Sequence, residues 1–403
     1  MQYGHQHITF CTNVYPGESW DEHFAELKLH FPGIKQAVSP TQAMGIGLRL
    51  SNQASLDLTE GDKLAEFKQW LRGNDAYVFT MNGFPYGAFH HHAVKAAVHA
   101  PDWTTKDRLD YTLRLFDILQ QLLPEGMDGG ISTSPLSYRH WFNTEAEKAE
   151  AFTKATHHIS LVAEKLVHIR NTTGKILHLD IEPEPDGLLE TGTEFINWYE
   201  DQLVKTGTKC LAGKGHVSAS EAEALLKEHI CLCYDVCHFA IGYEDHAAVI
   251  ARLAEKGIRT GKIQVSAALQ AQLTGDSKQR EQVGSALAGF NESVYLHQVI
   301  AHKRDGEIIR FRDLPDALPN LLDTTVDEWR VHFHIPVFTP RLDPVQSTQQ
   351  SICTVLDLQK GAPFTNHLEV ETYTWEVLPA ALKLPIVQSI SRELDWLLQY
   401  MKS

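Results

Sequence analysis

Residues 175–187 read KILHLDIEPEPDG. Leu177, Leu179 and Ile181 alternate with His178, Asp180 and Glu182, so an extended chain turns the apolar and polar sets to opposite faces. A strand of a closed parallel barrel packs one face on helices and turns the other into the interior. Glu182 then faces inward at the strand's last position. Pro183 has no N–H for the ladder and stops the strand, and Pro185 and Gly187 stiffen and turn its exit. A carboxylate in that position is either a metal ligand or one half of an ion pair.

Eight further stretches have the short, apolar or β-branched character of strands: HITFCTNV (7–14), GIGLRLS (45–51), AYVFTMNG (76–83), GGISTSPL (129–136), ICLCYDV (230–236), GKIQVSAAL (261–269), VHFHIPVF (331–338) and HLEVETYT (367–374). Helical patterns with marked ends lie between most of them. Thr144 and Glu147 have capping-box spacing before a run with Phe152, Ile159, Val162, Leu166 and Ile169 at helical intervals, and Gly174 follows as its stop. Ser218 with Glu221 repeats the capping pattern, and HAAVIARLAEKG ends on Lys256 and Gly257. Strand and helix in alternation mean parallel pairing through crossovers. No glycine-rich nucleotide motif follows any strand, which disfavours the usual open doubly wound sheets.

The polar strand ends favour closure. Asn82, Glu182, Asp235 and Glu371 stand at or near the ends of four different strands, and a barrel gathers such ends around one mouth. The expectation is a (β/α)8 TIM barrel forming one domain over 1–403. Nine candidates exceed eight strands. The long stretch at about 270–366, with a hairpin turn at Asp305 and Gly306, is therefore assigned to an insertion between strands 7 and 8 that covers the mouth. The competing assignment makes VHFHIPVF the eighth strand.

The chain has 403 residues, 43% hydrophobic and 22% charged, with a formal charge of −15. That composition suffices for a large core, and the acidic balance argues against a nucleic-acid partner. The first ten residues, MQYGHQHITF, lack the basic and apolar regions of a signal peptide, and no run has membrane-spanning length. The expectation is a cytoplasmic protein. Cys11, Cys210, Cys231, Cys233, Cys237 and Cys353 are read as small apolar residues in a reducing compartment, because Cys231 and Cys233 share a strand face where a disulfide is strained and no second Cys/His pair completes a zinc pattern.

Candidate chemistry follows from the inward carboxylates. Asp235 ends its strand, and His238 follows three residues later; alone, this aspartate is equally a cap on a turn. Beside Glu182, however, two inward carboxylates repel unless a cation neutralises them. Gln264 offers a neutral oxygen or serves as a buried amide. Glu371, with Glu369 one layer below, is a ligand or an ion-pair member. Three carboxylates and an amide suit Mg²⁺ or Mn²⁺, with Zn²⁺ or Co²⁺ if a histidine joins. His332 and His334 share a strand face; His334 is a ligand candidate or a lid residue. Asn82, Phe84, Pro85 and Tyr86 form a loop that lines a polyol or carbonyl pocket or simply caps a turn. The run His90, His91 and His92 is read as mostly solvated.

With these residues in place, the chain resembles the xylose isomerase-like TIM-barrel superfamily of sugar isomerases and epimerases, hydroxypyruvate isomerase and apurinic endonucleases. In its isomerase and epimerase branches one divalent ion is held by Glu, Asp, Gln or His, and Glu at strands 5 to 8. The matching positions here are Glu182 in IEP, Asp235 in YDVCH, Gln264 in KIQVS and Glu371 in EVET. The resemblance makes Glu182 and Glu371 the acid–base pair and places His238 on substrate; Asn82, Phe84 and His334, read above from their own positions, are the further substrate-binding candidates. NGFPYGAFH, VKAAVHAPDW, STSPLSY, DIEPEPDGLLE and WRVHFHIPVF also look like the EboE metabolite-traffic proteins. That resemblance implies a small-molecule metabolite and partners from the same gene cluster. One position departs from the epimerases: they carry an arginine soon after the strand-7 ligand, whereas the first arginine after Gln264 is Arg280. This leaves two further readings in view, a barrel that binds and hands on a metabolite without turnover, and a phosphodiesterase like the endonucleases.

Overall fold

A computed structural model of the protein describes residues 1–87, 94–213, 218–376, 378 and 383–403. The barrel strands are β1 (Gln6–Phe10), β2 (Met44–Arg49), β3 (Ala76–Asn82), β4 (Gly129–Thr133), β5 (Leu177–Ile181), β6 (Ile230–Asp235) and β7 (Thr260–Val265). A second set comprises β8 (Ala267–Gln272), β9 (Val299–Lys303), β10 (Ile308–Phe311), β11 (Val326–Ile335) and β12 (Val345–Ser347), and the chain returns to the barrel with β13 (His367–Val370). The principal helices are α1 (Trp20–Val38), α2 (Lys63–Gly73), α3 (Lys106–Leu122), α4 (Glu145–Thr173), α5 (Ala219–His229), α6 (His246–Glu255), α7 (Ser277–Ala288), α8 (Gln349–Gly361) and α9 (Ile386–Lys402).

The parallel sheet runs β1-β13-β7-β6-β5-β4-β3-β2, with Gln2–Tyr3 added antiparallel on the outer side of β1. β13 pairs with both β7 and β1. Between β1 and β2 a side chain replaces most of the ladder: the Thr9 hydroxyl donates to Gly45 O (2.8 Å) and accepts from Gly47 N–H (3.0 Å), next to a single bridge between Cys11 and Gly47. The protein is thus a TIM barrel whose C-terminal strand ends share one mouth.

Local signals in the chain account for the helix ends. Thr144 and Glu147 form the reciprocal capping box of α4, and Gly174 closes it in the left-handed region at φ 73°. Ser218 with Glu221 does the same at the start of α5, and Gly257 takes φ 63° after α6. All six cysteines are free; Cys11, Cys231, Cys233 and Cys237 are buried, whereas Cys210 and Cys353 are half-buried on helices rather than in the core. No described helix is long and apolar enough to cross a membrane.

Strands 8 to 12 form a separate antiparallel sheet, ordered β10-β9-β11-β8-β12, with Arg341–Leu342 at its edge. The turn at Gly306 (φ 90°) joins β9 to β10. β11, which contains VHFHIPVF up to Ile335, pairs with β9 and β8. The chain leaves the barrel at Ser266, earlier than the expected boundary near 270, because β8 already belongs to this second sheet. Between Val331 and Ile335 the register against β8 shifts, so the backbone bulges at His332–His334. Bulges re-aim side chains, and this one aims two histidines.

α9 packs back on α1, where Gly33 faces Val387. It carries one buried acid, Glu393, whose Oε1 accepts from Thr372 Oγ1 (2.6 Å) and Val337 N–H (3.1 Å). Burial pushes this carboxyl up to about 8, against the pull of those two bonds. A raised folded value means that the stabilising, protonated form is complete below the unfolded value and is lost as pH rises towards 8. Glu393→Gln keeps the acceptor and removes the titration. Its melting temperature is expected to gain on wild type steadily between pH 5 and 8; parallel curves over that range would contradict this account.

Candidate functional site

The barrel interior is polar in layers, because inward positions follow the two-residue repeat. At the middle level, Lys262 of β7 pairs with Glu369 of β13, both fully buried. Glu369 is therefore the ion-pair member and not part of the mouth. Lys262 was legible as the inward neighbour of Gln264, but only closure shows its partner. Lys262→Met strands a buried carboxylate and is expected to cost about 3–5 kcal/mol. Lys262→Met with Glu369→Met should recover most of that in denaturant titrations; an equally unstable double variant would mean that the pair itself is not what matters.

At the mouth, Glu182, Asp235, Gln264 and Glu371 converge. The Gln264 amide nitrogen lies 3.3 Å from Glu182 Oε1 and 3.3 Å from Asp235 Oδ2, and also donates to Glu371 Oε2. Its oxygen accepts from Cys233 Sγ (2.8 Å). The expected oxygen ligand is thus turned the other way: the donor end of the amide faces the three acids. The two ends of an amide are nearly isosteric, and a 180° flip presents the oxygen instead.

Each carboxylate is held differently. Glu371 Oε1 accepts from Asn13 Nδ2 (2.7 Å) and Asn82 Nδ2 (2.9 Å). Asn82 is itself oriented because its Oδ1 accepts from Phe84 N–H (3.0 Å) in the turn after β3. Asp235 Oδ1 caps the short helix Val236–Ile241 through His238 N–H (3.2 Å) and accepts from Ser266 Oγ (2.6 Å), which leaves Oδ2 facing the centre. Asp235 is therefore both a cap and a member of the cluster. Glu182 Oε2 is buried without a hydrogen-bond partner. Burial, followed by the nearby Glu371 and Asp235 charges, pushes the Glu182 carboxyl well up; burial with Asp235 and Glu369 pushes Glu371 up to about 8. Such a cluster is what a bound cation would stabilise.

Three histidines cover this floor. His238 Nδ1 donates to Pro183 O (3.0 Å), which leaves Nε2 as an acceptor 3.2 Å from His332 Nε2. His334 Nδ1 donates to Glu371 O (2.9 Å), and its Nε2 has no hydrogen-bond partner. Burial lowers the pKa of all three, that of His334 to about 4, so they stand as neutral imidazoles. The ligating atoms of Asp235, His238 and His334 lie within 4.8 Å of one another.

Above lies a cavity that Glu182, Glu371, His238, His332, His334, Asn82 and Phe84 all line. Asp235 and Gln264 sit beneath its surface. Sequence reasoning missed several wall residues. Glu184, two residues beyond Glu182, is buried against His99 (Nε2–Oε1 3.0 Å), and the His99 ring lies tilted against Phe84 at 5.4 Å. Gln298 Oε1 holds His332 Nδ1 at 2.9 Å. The only basic side chain among the described lining residues, other than the neutral histidines, is Lys95, which is paired with Asp313 at 2.6 Å. Arg280 is buried far from this wall, donating to the backbone carbonyls of Thr274, Leu321, Asp323 and Val326. His90, His91 and His92 lie outside the described residues.

No protein-family model matches the chain, and no curated protein matches its sequence. Solved structures do match. A xylose isomerase-like TIM barrel protein from Mycobacterium smegmatis, in complex with magnesium, aligns over 99% of this chain and 98% of its own with TM-score 0.51 and 9% identity. A D-tagatose 3-epimerase-like protein aligns over 98% and 97% at TM-score 0.49 and 8% identity, and the IOLI protein with a binding zinc atom over 98% of each chain at 0.48 and 11%. At such identities the first of these likenesses is one of fold, and it agrees with the strand order described above.

Proposed function

We propose that the protein is a divalent-metal-dependent isomerase or epimerase of a small, uncharged hydroxy-carbonyl metabolite. The observation that carries this reading is the convergence of Glu182, Asp235 and Glu371 on one amide under a histidine-walled cavity. The residues fit a resident ion: three buried acids share one centre, and Glu182 Oε2 and His334 Nε2 are left without partners. Glu182, Asp235, Gln264 (amide flipped) and Glu371 would hold it, Mg²⁺ or Mn²⁺ by donor type, with Zn²⁺ or Co²⁺ admitted by His334. The magnesium bound by the barrel of like fold accords with that choice. When bound, such an ion supplies Lewis acidity towards a carbonyl and its neighbouring hydroxyl.

The protein's own groups then have distinct tasks. Glu182 and Glu371 form an acid–base pair on the cavity floor, one removing the proton next to the carbonyl and the other returning it. His238, its tautomer set by Pro183 O, accepts a hydrogen bond from a substrate hydroxyl. Asn82, Phe84 and His334 orient the remainder of the molecule. The absence of an unpaired lysine or arginine among the described lining residues disfavours a phosphorylated substrate. The resemblance of NGFPYGAFH and WRVHFHIPVF to the EboE proteins supports reading this chemistry as part of a metabolite-traffic pathway inside the cell, with partners from the same cluster.

A carrier that binds without turnover is the second reading, favoured by the missing arginine after Gln264. Incubation of the wild-type protein with a panel of unphosphorylated hydroxy-aldehydes and hydroxy-ketones in deuterated buffer separates the two. Exchange of the hydrogen next to the carbonyl, followed by proton NMR, is expected for at least one ligand. A tightly bound ligand with no exchange would establish the carrier.

A further inference from the structure

At the opposite end of the barrel, a second group of polar side chains points inward and takes no part in the chemistry above. His178 is the second residue of β5, His367 the first of β13, and Asp128 immediately precedes β4. His178 and His367 are 0% and 1% exposed. His367 Nε2 lies 3.3 Å from Asp128 Oδ1, and His178 Nε2 3.8 Å from Asp128 Oδ2, yet neither imidazole nitrogen makes a hydrogen bond. The ligating atoms of these three residues fall within 4.8 Å of one another. On its other side, His178 Nδ1 is 2.6 Å from Asp180 Oδ1, and Asp180 Oδ2 is buried without a partner. Gly130 and Gly261 make the space: a Cβ on the first would collide with the His178 ring, and on the second with the Asp180 carboxylate.

We propose that this is a second metal site, formed by His178 Nε2, His367 Nε2 and Asp128 Oδ1. Two imidazoles and a carboxylate are a donor set for a borderline ion such as Zn²⁺ rather than for Mg²⁺. Asp180 acts one step out. Its bond to Nδ1 fixes the His178 tautomer that presents a bare Nε2 to the ion, the arrangement common to metal-bound histidines. Asp128 Oδ2 is engaged by Arg259 Nη2 (3.4 Å), which leaves Oδ1 as the ligand oxygen. Entry is from the N-terminal face, where the Asp128 side chain is 22% exposed, and three protein ligands leave a fourth position for water. The alternative is a simple proton relay, in which His178 bridges Asp180 and Asp128 and no ion binds.

The test uses the full chain carrying Asp235→Asn, which disables the mouth, stripped with chelator and titrated with Co²⁺ while visible absorption is followed. One equivalent is expected to bind with the intense bands of a low-coordinate site and to be displaced by Zn²⁺. Adding His367→Gln should abolish those bands, and Asp180→Asn should weaken binding about 10–100-fold. Should His367→Gln fail to fold by circular dichroism, Asp128→Asn at the rim answers the same question. No Co²⁺ bound in the Asp235→Asn protein, or binding unchanged by Asp128→Asn, overturns the site and leaves the proton relay. Failure of the mouth reading looks different: Asp235→Asn would then lose no metal, while Asp128→Asn still would.

Discussion

Asp235→Asn is expected to hold one equivalent of divalent metal fewer than wild type, with the barrel folded and its melting temperature without metal nearly unchanged. The substitution suits the question because Asp235 does two separable things. Its Oδ1 caps the helix Val236–Ile241 and accepts from Ser266, and the asparagine oxygen can keep both bonds. Its Oδ2, the atom that faces Gln264 and the centre, becomes an NH₂ that carries no charge and offers a donor where a cation needs an acceptor. Loss of an outer hydrogen-bond partner already weakens metal sites about 10–100-fold, so removal of a charged ligand should exceed about 100-fold. Elemental analysis after dialysis at a fixed metal concentration reads this directly. Equal metal in the two proteins would mean that the three acids serve some other end.

The second large effect is expected for Glu371→Gln, in the exchange of substrate hydrogen with solvent deuterium. Asn13 and Asn82 both donate to Glu371 Oε1, so the glutamine should place its own oxygen there and its NH₂ towards Gln264, whose amide can flip to accept it. Shape is then nearly preserved, but an NH₂ stands where Glu371 Oε2 faced the centre, so metal binding weakens as well and exchange and affinity are compared at saturating metal. What disappears is a group able to take up and release a proton, whose value burial and the neighbouring acids raise to about 8. Loss of a positioned acid or base costs about 10²–10⁴-fold in rate, so exchange should fall to background while ligand affinity moves by less than about tenfold. Exchange that survives at the wild-type rate would remove Glu371 from the chemistry. Weaker binding with exchange intact would make it a positioning residue only.

Both experiments rest on residues that the sequence alone picked out, and the reason is local geometry. In KILHLDIEP, a two-residue repeat, a terminal proline and a carboxylate at the last strand position lie within one short segment, and no distant contact can move Glu182 to the other face without inverting the whole strand. The same holds for Asp235, Gln264 and Glu371, and for the capping boxes of α4 and α5, where Thr144 and Ser218 meet acids three residues on. Helix ends and the inward identity of the acids were therefore determined by the chain's own short-range pattern.

Tertiary structure decided whatever depends on which strands become neighbours. Lys262 and Glu369 are 107 residues apart, and Asn13 and Glu371 are 358 apart; no periodicity links them, and only closure of the barrel brings β7 to β13 and β13 to β1. His332 and His334 reach the cavity through a register shift against β8, which depends on the pairing of two strands and not on either alone. His99 meets Glu184, and at the other end Asp128 meets His178 and His367, for the same reason. A sequence repeat determines which face a side chain takes, because that is set within a few bonds. Which side chain it finds across the barrel is set by long-range packing, and there the structure alone supplied the answer.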